Sequence, residues 1–220
     1  MAEARAADLV PQSERGPLHG LPMAVKDLAN ARGLVSSQGS PIFAGQVAAQ
    51  DDVFVARLRA AGAILIGKTN TPEFGLGSHT FNPIYGATRN AVDPSRSAGG
   101  SSGGAAVALA AGMVALADGS DMMGSLRNPA GWNEVYGLRP TWGWVPSEPA
   151  GDVFLHPLST NGPMARSPED IALLLDVISG SEARLPLHRG AHVVSPLAQA
   201  RPMRLGWLGD WGGAYPMEDG

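Results

Sequence analysis

The sequence predicts an α/β fold with a mainly parallel β-sheet flanked by helices. Three observations lead to this prediction. The run Ala63–Gly67 is continuous, apolar and β-branched, as strands of a parallel sheet are when both faces are buried. The segment Gly103–Gly112 is apolar on all sides, which is typical of a central helix. Strand and helix patterns alternate along the chain, as they do when helices connect parallel strands.

The elements of the first half are predicted from their end signals. Residues 1–16 have the pattern of the tail of a helix that runs into a loop. Leu21–Val25 is a short apolar strand. A helix begins at Asp51 or Asp52, either of which can cap it, and ends before Gly62. The buried strand at Ala63 follows directly.

The elements of the second half are predicted in the same way. Val114–Ala117 is a second buried strand. Residues 141–166 contain many prolines and glycines and are expected to form a long connection. Ser167 is followed by a proline and two acidic residues, which predicts the start of a helix that ends near Gly180. Met203–Leu208 is the last predicted strand.

The amino-acid composition excludes several classes of protein and of binding partner. Hydrophobic residues make up 44% of the 220 residues and charged residues 16%, which predicts one folded unit over residues 1–220. The net charge is -4 without a cluster of basic residues, which argues against nucleic acid or an anionic membrane as a partner. Cysteine is absent, which excludes disulfides and a thiol nucleophile. The N-terminal residues lack the apolar region of a signal peptide, so a cytoplasmic location is expected.

Two serine-containing, glycine-rich turns and one lysine are the parts of a nucleophilic catalyst that does not use histidine. The turns are Gly99–Gly104 and Met123–Ser125, and Lys26 ends the first apolar strand. A serine needs an adjacent base, and a lysine can serve as that base when its pKa is lowered. For Gly99–Gly104 a flexible linker or a phosphate-binding loop is the alternative. A phosphate-binding loop would need a lysine where Ala105 stands.

Several motifs in a fixed order give the chain its most specific signal. The interval of 24 positions from Ser101 to Ser125 adds to that order. Together these features resemble the amidase signature family of serine hydrolases over nearly the whole chain. The resemblance implies that family's fold, a mainly parallel mixed sheet flanked by helices and incomplete in this chain. The motifs lie at 16–27, 67–70, 82–90, 93–96, 99–104, 121–127 and 162–166.

The resemblance also implies a role for individual residues. Ser125 is similar to the acylated nucleophile, and Ser101 to the bridging serine that follows a cis peptide bond. Lys26 is similar to the base that exchanges a proton with Ser125 through Ser101. The oxyanion would be bound by the backbone N–H groups of Met122, Met123, Gly124 and Ser125.

Other polar residues near the motifs are assigned structural roles or none. Met123 departs from the family pattern, which usually has glycine there. Asp121 and Arg127 are expected to hold the nucleophile loop through a charge-assisted hydrogen bond, and Ser102 to be structural. The five histidines show no metal-ligand spacing. No metal or cofactor is predicted.

The predicted function is hydrolysis of a carboxylic amide through an acyl-enzyme, with release of ammonia or an amine. One alternative is the glutaminase-like A subunit of a tRNA-dependent amidotransferase, although Met122 and Met123 stand where that subunit usually has Thr-Gly. Another alternative is a catalytically incomplete, non-enzymatic fragment. Members of the resembled family are longer, so the chain is expected to lack their C-terminal half and extreme N-terminus. The resemblance implies a small-molecule amide substrate and allows a homodimer of the full-length protein.

Overall fold

A computed structural model describes residues 6–148, 154, 158–186, 204 and 206–215. The strands are β1 (Pro22–Lys26), β2 (Ile64–Thr69), β3 (Phe81–Asn82), β4 (Gly86–Ala87), β5 (Leu116–Asp121), β6 (Tyr136–Gly137) and β7 (Thr160–Ala165). The α-helices are α1 (Val53–Ala60), α2 (Gly103–Ala110), α3 (Arg127–Trp132) and α4 (Pro168–Ile178). Short 3-10 helices lie at Gln12–Glu14, Pro41–Phe43 and Glu73–Gly75.

The central sheet is mixed and mainly parallel. Among the described residues it has five strands in the order β2-β1-β5-β7-β6. β1 is parallel to both β2 and β5, whereas β7 is antiparallel to β5 and to β6. Four of the five strands therefore run in one direction and β7 runs in the other. The α/β fold class predicted from the sequence is confirmed. β3 and β4 form a separate antiparallel hairpin.

Helices pack on both faces of the sheet. On one face, Met23 and Val25 of β1 pack with Leu58 of α1 and Leu174 of α4. On the other face, Ala24 packs with α2. Alternate residues of a strand point to opposite faces, which explains this division. Among the helices that the structure describes, none is long and apolar enough to cross a membrane.

Most predicted elements are present with small changes of boundary. α1 has Asp52 at its N-cap position and is followed by Gly62 at φ 91°, as the sequence predicts. The Ser167 hydroxyl accepts a hydrogen bond from the N–H of Asp170 and so caps α4. The strand expected at Val114–Ala117 begins instead at Leu116 and continues to Asp121.

Two sequence predictions differ from the structure. Residues 141–166 are not only a connection, because β7 lies within them and pairs with β5 along six residues. In the predicted strand Met203–Leu208, Arg204 and residues 206–208 are not in a strand, and Met203 and Leu205 lie outside the described residues. Residues 6–8 are helical, while residues 1–5 lie outside the described residues.

Candidate active site

Lys26 ends β1 in the interior of the protein, with 1% of its surface exposed. It shares the face of β1 on which Ala24 packs against α2. Its Nζ donates hydrogen bonds to three serine hydroxyl oxygens, at 2.8 Å to Ser101, 2.9 Å to Ser102 and 3.0 Å to Ser120. The lysine nitrogen is therefore surrounded by neutral groups within hydrogen-bond distance.

The environment of Lys26 favours its neutral form. Burial lowers the pKa of Lys26 to about 7, and the negative charges of Asp118 and Asp121 oppose that shift. A neutral amine can accept a proton. A group with a pKa near the working pH is well suited to general acid–base catalysis, so this lysine can act as a base near neutral pH.

Ser101 lies in a turn that is held at both ends by Thr80. The Thr80 hydroxyl donates to the carbonyl oxygen of Gly99 at 2.8 Å and accepts from the N–H of Gly103 at 3.1 Å. The peptide bond between Gly100 and Ser101 is cis, as the resemblance implies. Because α2 begins at Gly103, the turn brings its serines to the start of a buried helix.

The loop after β5 is held by the carboxylate of Asp121, whose side chain is completely buried. Its oxygens accept hydrogen bonds from the N–H groups of Gly124 at 2.7 Å and Leu126 at 3.1 Å. Arg127 binds the same carboxylate with two nitrogens, at 3.0 and 3.2 Å. Burial alone would raise the pKa of Asp121, but the hydrogen bonds from Arg127 and the two N–H groups lower it below its usual value. The expected Asp121–Arg127 anchor is confirmed.

Ser125 is partly exposed in this anchored loop. Among the described residues, its hydroxyl has no hydrogen-bond partner, and the backbone N–H groups of Met122, Met123 and Ser125 donate no hydrogen bond. The N–H of Gly124 differs, because it donates to Asp121. Of the four N–H groups expected to bind an oxyanion, this one therefore already has a charged acceptor, and the oxyanion-binding role of the set stays a prediction.

The two methionines of this loop are exposed. Met122 is 51% exposed and Met123 is 90% exposed. Gly124 has φ 117°, whereas Met123 does not adopt a positive φ. A side chain is therefore compatible with the backbone at position 123, where the family usually has glycine. The glycine that the turn requires is Gly124.

The family model described as Amidase matches residues 1–217. The chain belongs to the amidase family. A curated relative is the A subunit of the glutamyl-tRNA(Gln) amidotransferase of Burkholderia pseudomallei (strain 668), which is 44% identical over 185 residues. The match covers 84% of this chain and 37% of that relative.

Solved amidase structures have the same fold. The native peptide amidase from Stenotrophomonas maltophilia is 37% identical with a TM-score of 0.78, over 87% of this chain and 42% of that one. A structure described as revealing the evolutionary origins of an s-triazine catabolic enzyme is 41% identical, with a TM-score of 0.79. The match covers 88% of this chain and 43% of that one. The chain thus spans less than half the length of each relative.

Two polar residues beside Lys26, the partly buried Ser120 and the buried Asp118, are not singled out by sequence alone. Ser120 contributes the third hydroxyl to the lysine, and Asp118 accepts the N–H of Lys26 at 3.0 Å. Both lie on the part of β5 that extends beyond the predicted strand. These two residues are recognised only from the pairing of β5 with β1, because that pairing brings the polar ends of both strands together.

The remaining sequence assignments concern Ser102, the histidines and metals. Ser102 is completely buried and, besides the lysine, contacts the main chain of Ser120, whose N–H donates to its hydroxyl at 3.3 Å. These contacts agree with a structural role. His79 makes a hydrogen bond with the Ser97 hydroxyl. The described part of the chain contains no group of three or more His, Asp or Glu side chains that could hold a metal ion.

Proposed function

We propose that the natural polypeptide that contains this chain hydrolyses a carboxylic amide through an acyl-enzyme on Ser125. Lys26 is the base and Ser101 the relay. The observation that carries this proposal is the 2.8 Å hydrogen bond between Lys26 Nζ and Ser101 Oγ in the protein interior. Because burial disfavours the charged form of the amine, the lysine can be neutral and act as a base. The adjacent Ser101 hydroxyl can pass a proton to it.

The first half of the reaction forms the acyl-enzyme. Ser125 Oγ attacks the carbonyl carbon and gives its proton to Ser101 Oγ, which gives its own proton to the neutral Lys26. The carbonyl oxygen becomes an oxyanion that accepts hydrogen bonds from the N–H groups of Met122, Met123 and Ser125. Loss of one such donor usually raises the barrier by about 3–4 kcal/mol.

The second half releases the products. The carbon–nitrogen bond breaks, and the leaving nitrogen receives the proton from Lys26 through Ser101. Water then attacks the ester, and its proton returns along the same path. Ser125 regains its hydrogen as the carboxylic acid leaves. Among the described residues, Ser125 and Ser101 are not hydrogen-bonded to each other, so the labelling experiment below tests this transfer.

Covalent labelling tests the assignment without knowledge of the substrate. The natural polypeptide is treated with a fluorophosphonate, and the modified peptide is identified by mass spectrometry. We expect the adduct on Ser125. Ser125→Ala should abolish labelling, and Ser95→Ala, which changes an exposed serine, should leave it unchanged. An adduct on Ser101 or Ser102, or no adduct at all, would contradict the proposal.

A second candidate function is the glutaminase step of a tRNA-dependent amidotransferase. The 44% identity to the A subunit of such an enzyme supports it, whereas Met122 and Met123 do not follow the Thr-Gly pattern of that subunit. The two functions differ in their need for partners. An amidase hydrolyses amides as a single polypeptide, so release of ammonia from glutamine that appears only with added partner subunits would favour the amidotransferase. A cytoplasmic location and a homodimer stay predictions.

A further inference from the structure

β1 and β5 separate from each other next to Lys26. Their register consists of a single pair, Ala24 with Ala117. Two residues further along β1, the main-chain N–H of Lys26 donates to a side chain, Asp118 Oδ1, at 3.0 Å. A carboxylate thus takes the place of the main-chain acceptor that a regular parallel ladder would supply.

We propose that Asp118 is a positioning residue for Lys26: it holds the main chain of the lysine and supplies the buried negative charge that sets the pH at which the lysine becomes a base. This inference rests on the proposed function. It concerns a residue of β5 that the relay of Ser125, Ser101 and Lys26 does not itself include.

The charged groups around Lys26 come from β5, from β2 and from the residue that follows β1. β5 supplies Asp118 and Asp121, and both carboxylates favour the protonated lysine. β2 supplies Lys68, whose Nζ lies 3.7 Å from an oxygen of Asp27, the residue that follows β1. The serine turn before α2 contributes only hydroxyl groups to the lysine.

Asp118 is the carboxylate best placed to act on the lysine. It is 2% exposed and bonded to the lysine main chain. The charge of Asp121 is compensated by Arg127 and Arg139, whose nitrogens lie 3.0 and 3.4 Å from its oxygens. Burial raises the pKa of Asp118 to about 6, and the Lys26 N–H and the charge of Lys68 oppose that rise. Above pH 6 Asp118 is therefore mainly ionised.

The two parts of this role can be separated by substitution. Asp118→Asn keeps an oxygen that can accept the N–H of Lys26 but removes the charge. Asp118→Ser is a second neutral variant with an acceptor, in case the amide is not tolerated. Asp118→Leu removes both the charge and the acceptor. Asp27→Asn is the matched control, because Asp27 is also a buried carboxylate but binds Ser37.

The experiment measures the rate of fluorophosphonate labelling of Ser125 against pH in the natural polypeptide. The unchanged protein should lose reactivity as the pH falls through about 7, where Lys26 becomes protonated. Without the negative charge of Asp118 the lysine loses its proton more readily. Asp118→Asn should therefore shift this loss downward by roughly one pH unit. Asp118→Leu should label slowly at every pH, and Asp27→Asn should keep the original midpoint.

The outcomes distinguish this inference from the proposed function. If Ser125 of the unchanged protein is not labelled, the proposed function and this inference both fail. If Ser125 is labelled with a midpoint near pH 7, but folded Asp118→Asn and Asp118→Ser keep that midpoint, only this inference fails. A midpoint that moves equally in Asp27→Asn would also overturn it, because the effect would then not be specific to Asp118.

Discussion

At the scale of single residues, the environment of Lys26 explains how a lysine can be buried without a carboxylate bonded to its Nζ. A hydroxyl group can accept a hydrogen bond from an amine or donate one to it. The three serines around Nζ can therefore satisfy both the charged and the neutral lysine, while burial penalises the charged form. A carboxylate at the same distance would stabilise the charge and weaken the base.

This environment predicts the effect of pH on both activity and stability. The folded-state pKa of Lys26 is about 7 and the unfolded value is 10.5, so between these values the unfolded chain binds more protons. Stability should therefore rise with pH across this interval, and Lys26→Met should remove that part of the slope. We also expect Lys26→Met to label at Ser125 about 10²–10⁴-fold more slowly than the unchanged protein.

Thermal unfolding midpoints at pH 7, 8.5 and 10 check the first expectation, and labelling rates check the second. Lys68→Met is the comparison for the labelling rates, since Lys68 is another mostly buried lysine but lies beside Asp27 and not beside the three serines around Lys26. Labelling by folded Lys26→Met at the rate of the unchanged protein would contradict the role of the lysine as a base.

At the scale of elements, helices and apolar strands could be predicted from the sequence, while polar strand segments could not. α1 and α4 carry cap residues, and β2 begins with the apolar run Ile64–Ile66. The prediction that this strand is buried on both faces is wrong, because β2 is an edge strand. β7 could not be predicted, because Gly162 and Pro163 interrupt its pattern, and glycine and proline usually mark loops. The last three residues of β5 are Gly119, Ser120 and Asp121, which have no apolar periodicity. Asp118 and Ser120 therefore escape a prediction that relies on local pattern.

The serine turn requires glycine at position 104 for a reason that only the packing reveals. A Cβ at Gly104 would lie 2.3 Å from the main-chain nitrogen of Asn70, so one backbone segment would have to move. We expect Gly104→Ala to destabilise the protein by about 1–3 kcal/mol and to slow labelling of Ser125, since the turn positions Ser101.

The matched control is Gly131→Ala in α3, where an added Cβ meets nothing within 4 Å. That substitution should stabilise the protein slightly, because alanine has a higher helix propensity than glycine. Denaturant unfolding of both variants measures the difference. Equal stability of Gly104→Ala and Gly131→Ala would show that the close approach of Asn70 does not constrain the turn.

At the scale of the whole molecule, the sheet ends in strands with only one neighbour. β2 pairs with β1 alone and β6 with β7 alone among the described residues. Ile66 in β2 is 58% exposed. β5 and α2, by contrast, are largely buried inside the fold. An edge strand with free main-chain groups and an exposed apolar side chain is a template for association with another chain.

We therefore expect the 220-residue chain, produced by itself, to self-associate through β2. Ile66→Lys should shift it toward the monomer, because a charged side chain on an edge strand opposes pairing with a second edge. Met113→Lys makes the same chemical change at another exposed residue, 68% exposed but outside the strands, and should have little effect. Size-exclusion chromatography with light scattering gives the mass of each species. If both variants reduce association equally, general apolar exposure and not the β2 edge is responsible, and a monodisperse unchanged chain would contradict the prediction altogether.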